Sequence, residues 1–268
     1  MKRIATTLIV LTLFVLLTSH ELFLKSDSYF FEENSPGELY LFNGTFDTSE
    51  NVITRDRIIN STILGPNDDF KPSSDDYYDQ ANITFLQFKT GAAGTYLAGV
   101  STKPAAIELS GEDFTAYLEH EGLTEVISER EAKGIANQVA NEKYSKHVKA
   151  IFQVGERRTD NFSTQLDYPI EFIPLKNPYQ LSVGDIMSFK LLYLGEPLSH
   201  KTVHISSRKN IEEKGVEETS LKTNKNGEVS FKISRGGHWY IATIHMLESN
   251  EANFDYESNW ATLTFEVK

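Results

Sequence analysis

The chain has 268 residues, 26 Lys and Arg against 38 Asp and Glu, and no cysteine, for a net charge of −12. That excludes a disulfide scaffold, a thiol nucleophile, a cysteine-ligated zinc and an iron–sulfur cluster. An acidic balance without a basic cluster also argues against nucleic acid as a partner. The ordinary fractions of charged (24%) and apolar (40%) residues predict a folded globular protein.

Lys2 and Arg3 precede an uncharged run of 14 residues, Ile4 to Leu17, and small Thr18 and Ser19 follow it. The run is short of the roughly 18–20 residues that span a bilayer. The pattern predicts a signal peptide over residues 1–19, so the mature protein is expected to be periplasmic or secreted. It would begin at His20, with a balance of 24 − 38 = −14.

Most of the remainder reads as strands. Leu22-Phe23-Leu24, Tyr29-Phe30-Phe31, Glu38 to Phe42, Ile83 to Phe88 and Thr95 to Val100 are rich in strand formers. The last two flank Gly91 to Gly94 and read as successive antiparallel strands. The acidic stretch Pro66 to Gln80 lacks the order of a helix-loop-helix calcium site and reads as a solvated loop. Phe114, Tyr117 and Leu118 recur at helical spacing. Thr124 to Lys133 and Ala136 to Tyr144 extend the helical reading, giving a helical insertion over about residues 111–146. Val148 to Val154 then alternates as a returning strand.

From Ile170 onward come seven short strands: Ile170 to Ile173, Ile186 to Leu194, Thr202 to Ser207, Glu218 to Thr223, Glu228 to Ile233, His238 to Met246 and Ala261 to Val267. Asn226-Gly227 signals a hairpin. The expected fold is mainly β, with two β-sandwich domains. Residues 20–167 form the first, which carries the helical insertion. Residues 168–268 form the second, expected to be immunoglobulin-like.

Enzyme signatures are absent. His20-Glu21 and His120-Glu121 lack the second histidine of a zinc-protease helix, and no Gly-x-Ser-x-Gly elbow occurs. A mature N-terminal His20 would offer its α-amine and ring Nδ1 to one metal ion. The amine, with an ordinary pKa near ~8, gives up its proton readily to a divalent metal. Nitrogen ligands suit nickel, cobalt, copper or zinc better than calcium or magnesium. His245, at the end of an apolar strand and followed by Asp255 and Glu257, is the expected third nitrogen of a brace, with the two carboxylates as further ligands or acceptors. His204 and His238 are weaker candidates. His120, His147 and His200 read as surface residues in helical or turn contexts.

His20-Glu21-Leu22-Phe23-Leu24, Pro174-Leu175-Lys176-Asn177-Pro178-Tyr179, Gly236-Gly237-His238-Trp239, Ile244-His245-Met246 and Glu257-Ser258-Asn259-Trp260-Ala261-Thr262-Leu263-Thr264-Phe265-Glu266 together resemble a bacterial family long labelled a domain of unknown function. That family includes periplasmic proteins associated with nickel and cobalt uptake. The resemblance runs from about His20 to Glu266. It implies a periplasmic protein that binds a divalent transition metal, nickel or cobalt before copper or zinc, and serves a membrane metal-uptake permease. Two alternatives stand beside it: a copper-dependent histidine-brace oxidase or monooxygenase, and a metal-free structural immunoglobulin-like module.

Overall fold

The structure is a computed structural model that describes residues 21–67 and 69–268. His20 and the expected signal peptide lie outside them. The strands, in chain order, are β1 (Glu21–Lys25), β2 (Phe30–Phe31), β3 (Pro36–Gly44), β4 (Ser49–Asn51), β5 (Ile58–Leu64), β6 (Asp69–Phe70), β7 (Tyr77–Gln80), β8 (Ile83–Lys89), β9 (Gly94–Thr102), β10 (Ala105–Leu109), β11 (Ala140–Val154), β12 (Ile170–Pro174), β13 (Ile186–Tyr193), β14 (Glu196–Pro197), β15 (Thr202–Arg208), β16 (Thr219–Lys222), β17 (Glu228–Lys232), β18 (Gly237–Glu248) and β19 (Tyr256–Val267). Two helices, α1 (Gly111–His120) and α2 (Thr124–Ala132), separate β10 from β11. The protein is mainly β. No helix of the described residues is long and apolar enough to cross a membrane.

A ten-stranded sheet forms the middle layer. Its order runs β16-β15-β18-β19-β11-β9-β5-β6, with β10 and β2 also paired to β11. Strands from both sides of residue 167 therefore share one sheet, joined where β11 and β19 run parallel. Strand alternation gives this sheet two apolar faces. On one, Trp239, Ile241, Ala261, Leu263 and Phe265 pack on Phe172, Met187, Phe189 and Leu191 of the β12-β13-β14-β17 sheet. On the other, Ala98, Val100, Val148 and Phe152 meet Leu22, Leu24, Leu39 and Leu86 of the β1-β3-β8-β7 sheet. Beside that second sheet, Phe114 and Leu118 of α1 pack on Ile244, Met246 and Trp260.

Three local expectations change. Residues 136–144 are not helical: the chain enters β11 at Ala140. The polar residues that made this stretch look like an exposed helix are buried by long-range partners, Glu142 under Tyr117 and Ser258, and Lys146 against Asn43. Second, Asn226-Gly227 does turn the chain, with Gly227 at φ 73°, but it links β16 to β17, which lie in different sheets. Gly91 to Gly94 likewise carries the chain from β8 in one sheet to β9 in another. A turn signal specifies a reversal and says nothing of which strand pairs with which. Third, the acidic stretch Pro66 to Gln80 contains β6 and β7 and a capping box between Ser73 and Asp76.

One charged pair crosses the first apolar interface. Lys149 of β11 and Glu171 of β12 form an ion pair, each side chain 1% exposed. Lys149 Nζ also donates to the Phe172 carbonyl at 3.2 Å, and Glu171 Oε2 accepts from the Leu166 amide at 3.0 Å. Glu171 Oε1 has no partner. Removing one member strands a buried charge, whereas replacing both by apolar groups does not. Lys149→Met alone should cost about 3–5 kcal/mol in chemical denaturation. The double variant Lys149→Met/Glu171→Leu should recover most of that loss.

His147, expected at the surface, lies within β11 and is 3% exposed. Its Nδ1 lies 2.6 Å from Ser101 Oγ and its Nε2 lies 3.1 Å from Asn259 Oδ1. Burial pushes its pKa down from an ordinary 6.5 to about 4. The unfolded chain therefore takes up a proton below about pH 6.5 that the folded chain refuses until about pH 4. Stability contributed by the neutral ring is full above that window and falls as pH drops through it. The loss is on the order of 3 kcal/mol, at ~1.4 kcal/mol per pKa unit. Denaturation curves between pH 7 and pH 4 should show this slope, and His147→Gln should flatten it.

Candidate functional site

The side chains gathered for chemistry lie at the start of β1. This strand sits over β19, hung from it by two buried hydroxyls. Thr262 Oγ1 donates to the Leu22 carbonyl at 2.7 Å, and Thr264 Oγ1 donates to the Leu24 carbonyl. Leu22 and Leu24 enter the core over β9 and β11. Alternation sends Glu21 and Phe23 the other way, and Phe23 packs on Tyr240 and Ala242 of β18. Ala242 is registered with His204 of β15, so His204 shares this face and looks toward Glu21.

The end of α1 closes the site from above. Ser110 caps the helix through the Asp113 amide at 3.1 Å, and Phe114 and Leu118 anchor its buried face. Gly122 stops it, with φ 67° and the Leu123 amide donating to the Leu118 carbonyl at 2.8 Å. A Cβ at Gly122 would lie 3.3 Å from Thr202 Oγ1 at the head of β15. The helix end is thereby held against β15, and His120 and Glu121 overhang His204.

Glu21, His120, Glu121, His204 and Glu218 line one open cavity of about 140 Å³, with Tyr240 in its floor. His120 Nδ1 lies 2.8 Å from Glu121 Oε1; the imidazole is 66% exposed and the carboxylate 3%. His204 is 12% exposed, with Nδ1 3.4 Å from Glu218 Oε2 and 3.2 Å from Ser220 Oγ. His204 Nε2 is buried, and a hydrogen bond to the Glu121 backbone helps to raise the ring's pKa. The Tyr240 hydroxyl donates to Glu218 Oε1.

The charges follow from this crowding. Burial, then the nearby Glu121 and Glu218 carboxylates, push Glu21 well above the usual carboxylate range, and Lys146 opposes them. The Glu121 hydrogen bond raises His120 against the effect of burial. Burial lowers His204, but the Glu218 hydrogen bond and the Glu121 and Glu218 charges outweigh it, so its pKa rises. Burial raises Glu218, and its bonds to His204 and Tyr240 outweigh that, so its pKa falls. Arg208 also reaches the cavity but is held by Asp47, with Nε–Oδ1 2.6 Å and Nη2–Oδ2 3.1 Å. The result is three carboxyl groups around two imidazoles, with Glu21 pushed toward its neutral form and Arg208 already paired. Among the described residues no group of three or more His, Asp or Glu is already disposed to hold a metal ion.

The structure does not bring His245 to this place. His245 is registered with Asn259, and both point to the face opposite the one on which β1 lies. His20 itself lies outside the described residues, and His245 lies across the central sheet from β1. His245 packs edge-on against Tyr193, ring centroids 4.4 Å apart. Burial pushes its pKa down to about 4, and its Nδ1 has no partner. Asp255 and Glu257 are exposed and engaged elsewhere. Asp255 Oδ2 accepts from the Asn141 amide at 2.8 Å, and Glu257 meets Lys143 at 2.9 Å. His204, ranked low from the sequence, and His120, read as a surface residue, are the imidazoles that converge. The signals were available in part: His120 adjoins Glu121, and His204 alternates with Thr202 and Ser206. Ser101, His147 and Asn259 have the atom order of a nucleophile, base and orienter, but all three are buried at 2%, 3% and 5% exposure and offer no access to a substrate.

Comparison with known proteins gives distant structural likenesses and one family match. Salmonella alpha-2-macroglobulin reacted with methylamine is 11% identical at a TM-score of 0.23, covering 91% of this chain and 15% of that one. Escherichia coli alpha-2-macroglobulin activated by porcine elastase is 10% identical at 0.23, covering 91% and 20%. The D0–D1 domain of Intimin is 10% identical at 0.21, covering 91% and 97%. The chain thus spans a fifth or less of the length of these two macroglobulins, and none of the three TM-scores reaches 0.5. No curated protein matches the chain. A family match covers residues 17–247, and by it the chain belongs to the domain-of-unknown-function family DUF4198.

Proposed function

We propose that this protein is exported and binds a divalent transition-metal ion, nickel or cobalt first, for delivery to a membrane uptake permease. The observation that carries this reading is the cavity where His120, His204, Glu21, Glu121 and Glu218 meet at the first described residue of the chain. Residues 1–19 act as the signal peptide, and cleavage after Ser19 leaves His20 one residue from Glu21. The amine and ring of His20 supply a chelate, and cavity imidazoles supply the remaining nitrogen. With no cysteine in the chain, the donors are nitrogen and oxygen, which suits nickel, cobalt or zinc. In this reading residues 168–268 form an immunoglobulin-like sandwich beside a first β-domain, and their shared sheet supports the site. The metal is cargo, so no catalytic step is assigned.

The test is calorimetric titration of cobalt(II) or nickel(II) into natively processed protein, with N-terminal sequencing alongside. A form with one alanine added before His20 should bind at least tenfold more weakly, because the chelate through the amine is lost. Equal affinity in the two forms would overturn the amine's role. Protons compete with the metal for the imidazoles, whose pKa values at His120 and His204 are raised. Affinity should therefore fall as pH drops through a window lying above the ordinary histidine value of about 6.5. Oxygen consumption by the copper-loaded protein would favour an oxidase instead.

A further inference from the structure

We propose that β10 is a docking edge for a second copy of this chain, the two β10 strands pairing antiparallel about Ile107. The central sheet is left unfinished at this point. β5 covers β9 from Ile58 to Leu64, and the last bond on that side runs from the Lys103 amide to the Arg57 carbonyl at 2.8 Å. Pro104 follows, with no amide to donate. β10 then pairs with β11 on its inner side, and among the described residues no main-chain partner meets it on the outer one. Asn141 of β11 turns its main chain to the β19 side, its carbonyl accepting from the Asp255 amide and its amide donating to Asp255 Oδ2, both at 2.8 Å. Alternation turns Ala140 and Glu142 toward β10, where they face Leu109 and Ile107. The main-chain groups of Ala106 and Glu108 therefore point outward, and Ala106, Ile107 and Glu108 are all exposed.

Unpaired amides and carbonyls along a strand with little charge are a template for another strand. Other edges of this protein are blunted. Threonine hydroxyls take the Leu22 and Leu24 carbonyls of β1, Lys149 takes the Phe172 carbonyl of β12, and β17 begins and ends on charge, at Glu228 and Lys232. β10, with the sequence Ala105-Ala106-Ile107-Glu108-Leu109, has a single charge. The order of charge around it suits it to its own copy. Exposed Lys103 stands just ahead of the strand, Glu108 stands near its end, and exposed Glu112 stands beyond it. Antiparallel pairing brings the basic entry of each copy to the acidic exit of the other, whereas parallel pairing would set like charges side by side. With Ile107 on the two-fold axis, Ala106 of each copy exchanges main-chain bonds with Glu108 of the other. Glu108 then faces a methyl group rather than a second carboxylate. The two Ile107 residues form a non-hydrogen-bonded pair with α-carbons about 4.5 Å apart, each covering a side chain that is 39% exposed in the single copy. The same edge serves both copies, so the assembly closes as a dimer.

The test is sedimentation equilibrium of the natively processed protein between about 1 μM and about 1 mM, the range in which a small interface associates. Wild type should show a monomer–dimer equilibrium, and hydrogen exchange at the Ala106 and Glu108 amides should slow as concentration rises. Ile107→Lys and Ile107→Glu each set like charges on the axis and should weaken association by about tenfold or more. An equimolar mixture of the two variants should regain about as much, because opposite charges then face each other. Leu175→Lys, on the other sheet at a residue 45% exposed, should match wild type. Thermal melts establish that each variant is folded, and the exchange measurement on wild type needs no variant. A monomer across the whole range would overturn the proposal, as would a dimer that both Ile107 variants leave intact. A mixture no tighter than either variant alone would overturn the pairing about Ile107. Exchange that slows only when an unrelated extended peptide is added would give the edge to a different partner and overturn self-pairing.

Discussion

Nine consecutive residue pairs, from Glu142 with Tyr256 to Ala150 with Thr264, run parallel between β11 and β19. Everything else in the molecule depends on this seam. Parallel neighbours need a crossover, and here the crossover is a whole sheet: β12, β13 and β17 pack across one face while the chain returns through β15 and β18. The seam makes one continuous sheet from residues more than a hundred positions apart, and so gives β1 a surface on which to lie. The two threonine hydroxyls that hold β1 are on β19, the imidazole that faces it is on β15, and the helix that overhangs both leaves the sheet between β10 and β11.

The polar groups buried along the seam explain why it is specific rather than merely apolar. Glu142 accepts from Tyr117 and Ser258, and His147 is satisfied by Ser101 and Asn259. A shift of β19 by one residue would reverse its faces and leave these groups unpaired. Burial pushes Glu142 up to about 7, against the pull of its hydrogen bonds and Lys146, so it sits where neutral and charged forms are balanced near physiological pH. Lys146, two turns of the pleat away on the same face, is pushed down to about 7 by burial and by Arg57. These are the marks of a dry polar layer beneath α1.

The sequence disclosed most strands because apolar alternation and β-branched runs are local signals, as Ile170 to Ile173 and His238 to Met246 illustrate. It misread Ala140 to Tyr144 because the adjacent charges of Glu142 and Lys143 look solvated until the distant partners that engage them are known. It placed His245 correctly near a strand end and correctly on the face of Trp239 and Ile241. What alternation could not reveal is which of the two faces β1 would cover. The site is composed of one residue from β1, two from the end of α1, one from β15 and one just ahead of β16. No spacing rule links positions 21, 120, 121, 204 and 218; only the seam does.

The pairing of β11 with β19 also has a consequence for the order of folding. The centre of the sheet is not complete until residues near Val267 have been made and placed, although its other half is built from residues before 155. Contacts of such long sequence separation form slowly, because chain entropy is lost well before they are gained. Until they form, the threonines that carry β1 are missing, and the opening strand has nothing to rest on. β1 is therefore made early and ordered last, and the cavity over it stays unformed until β19 is in place.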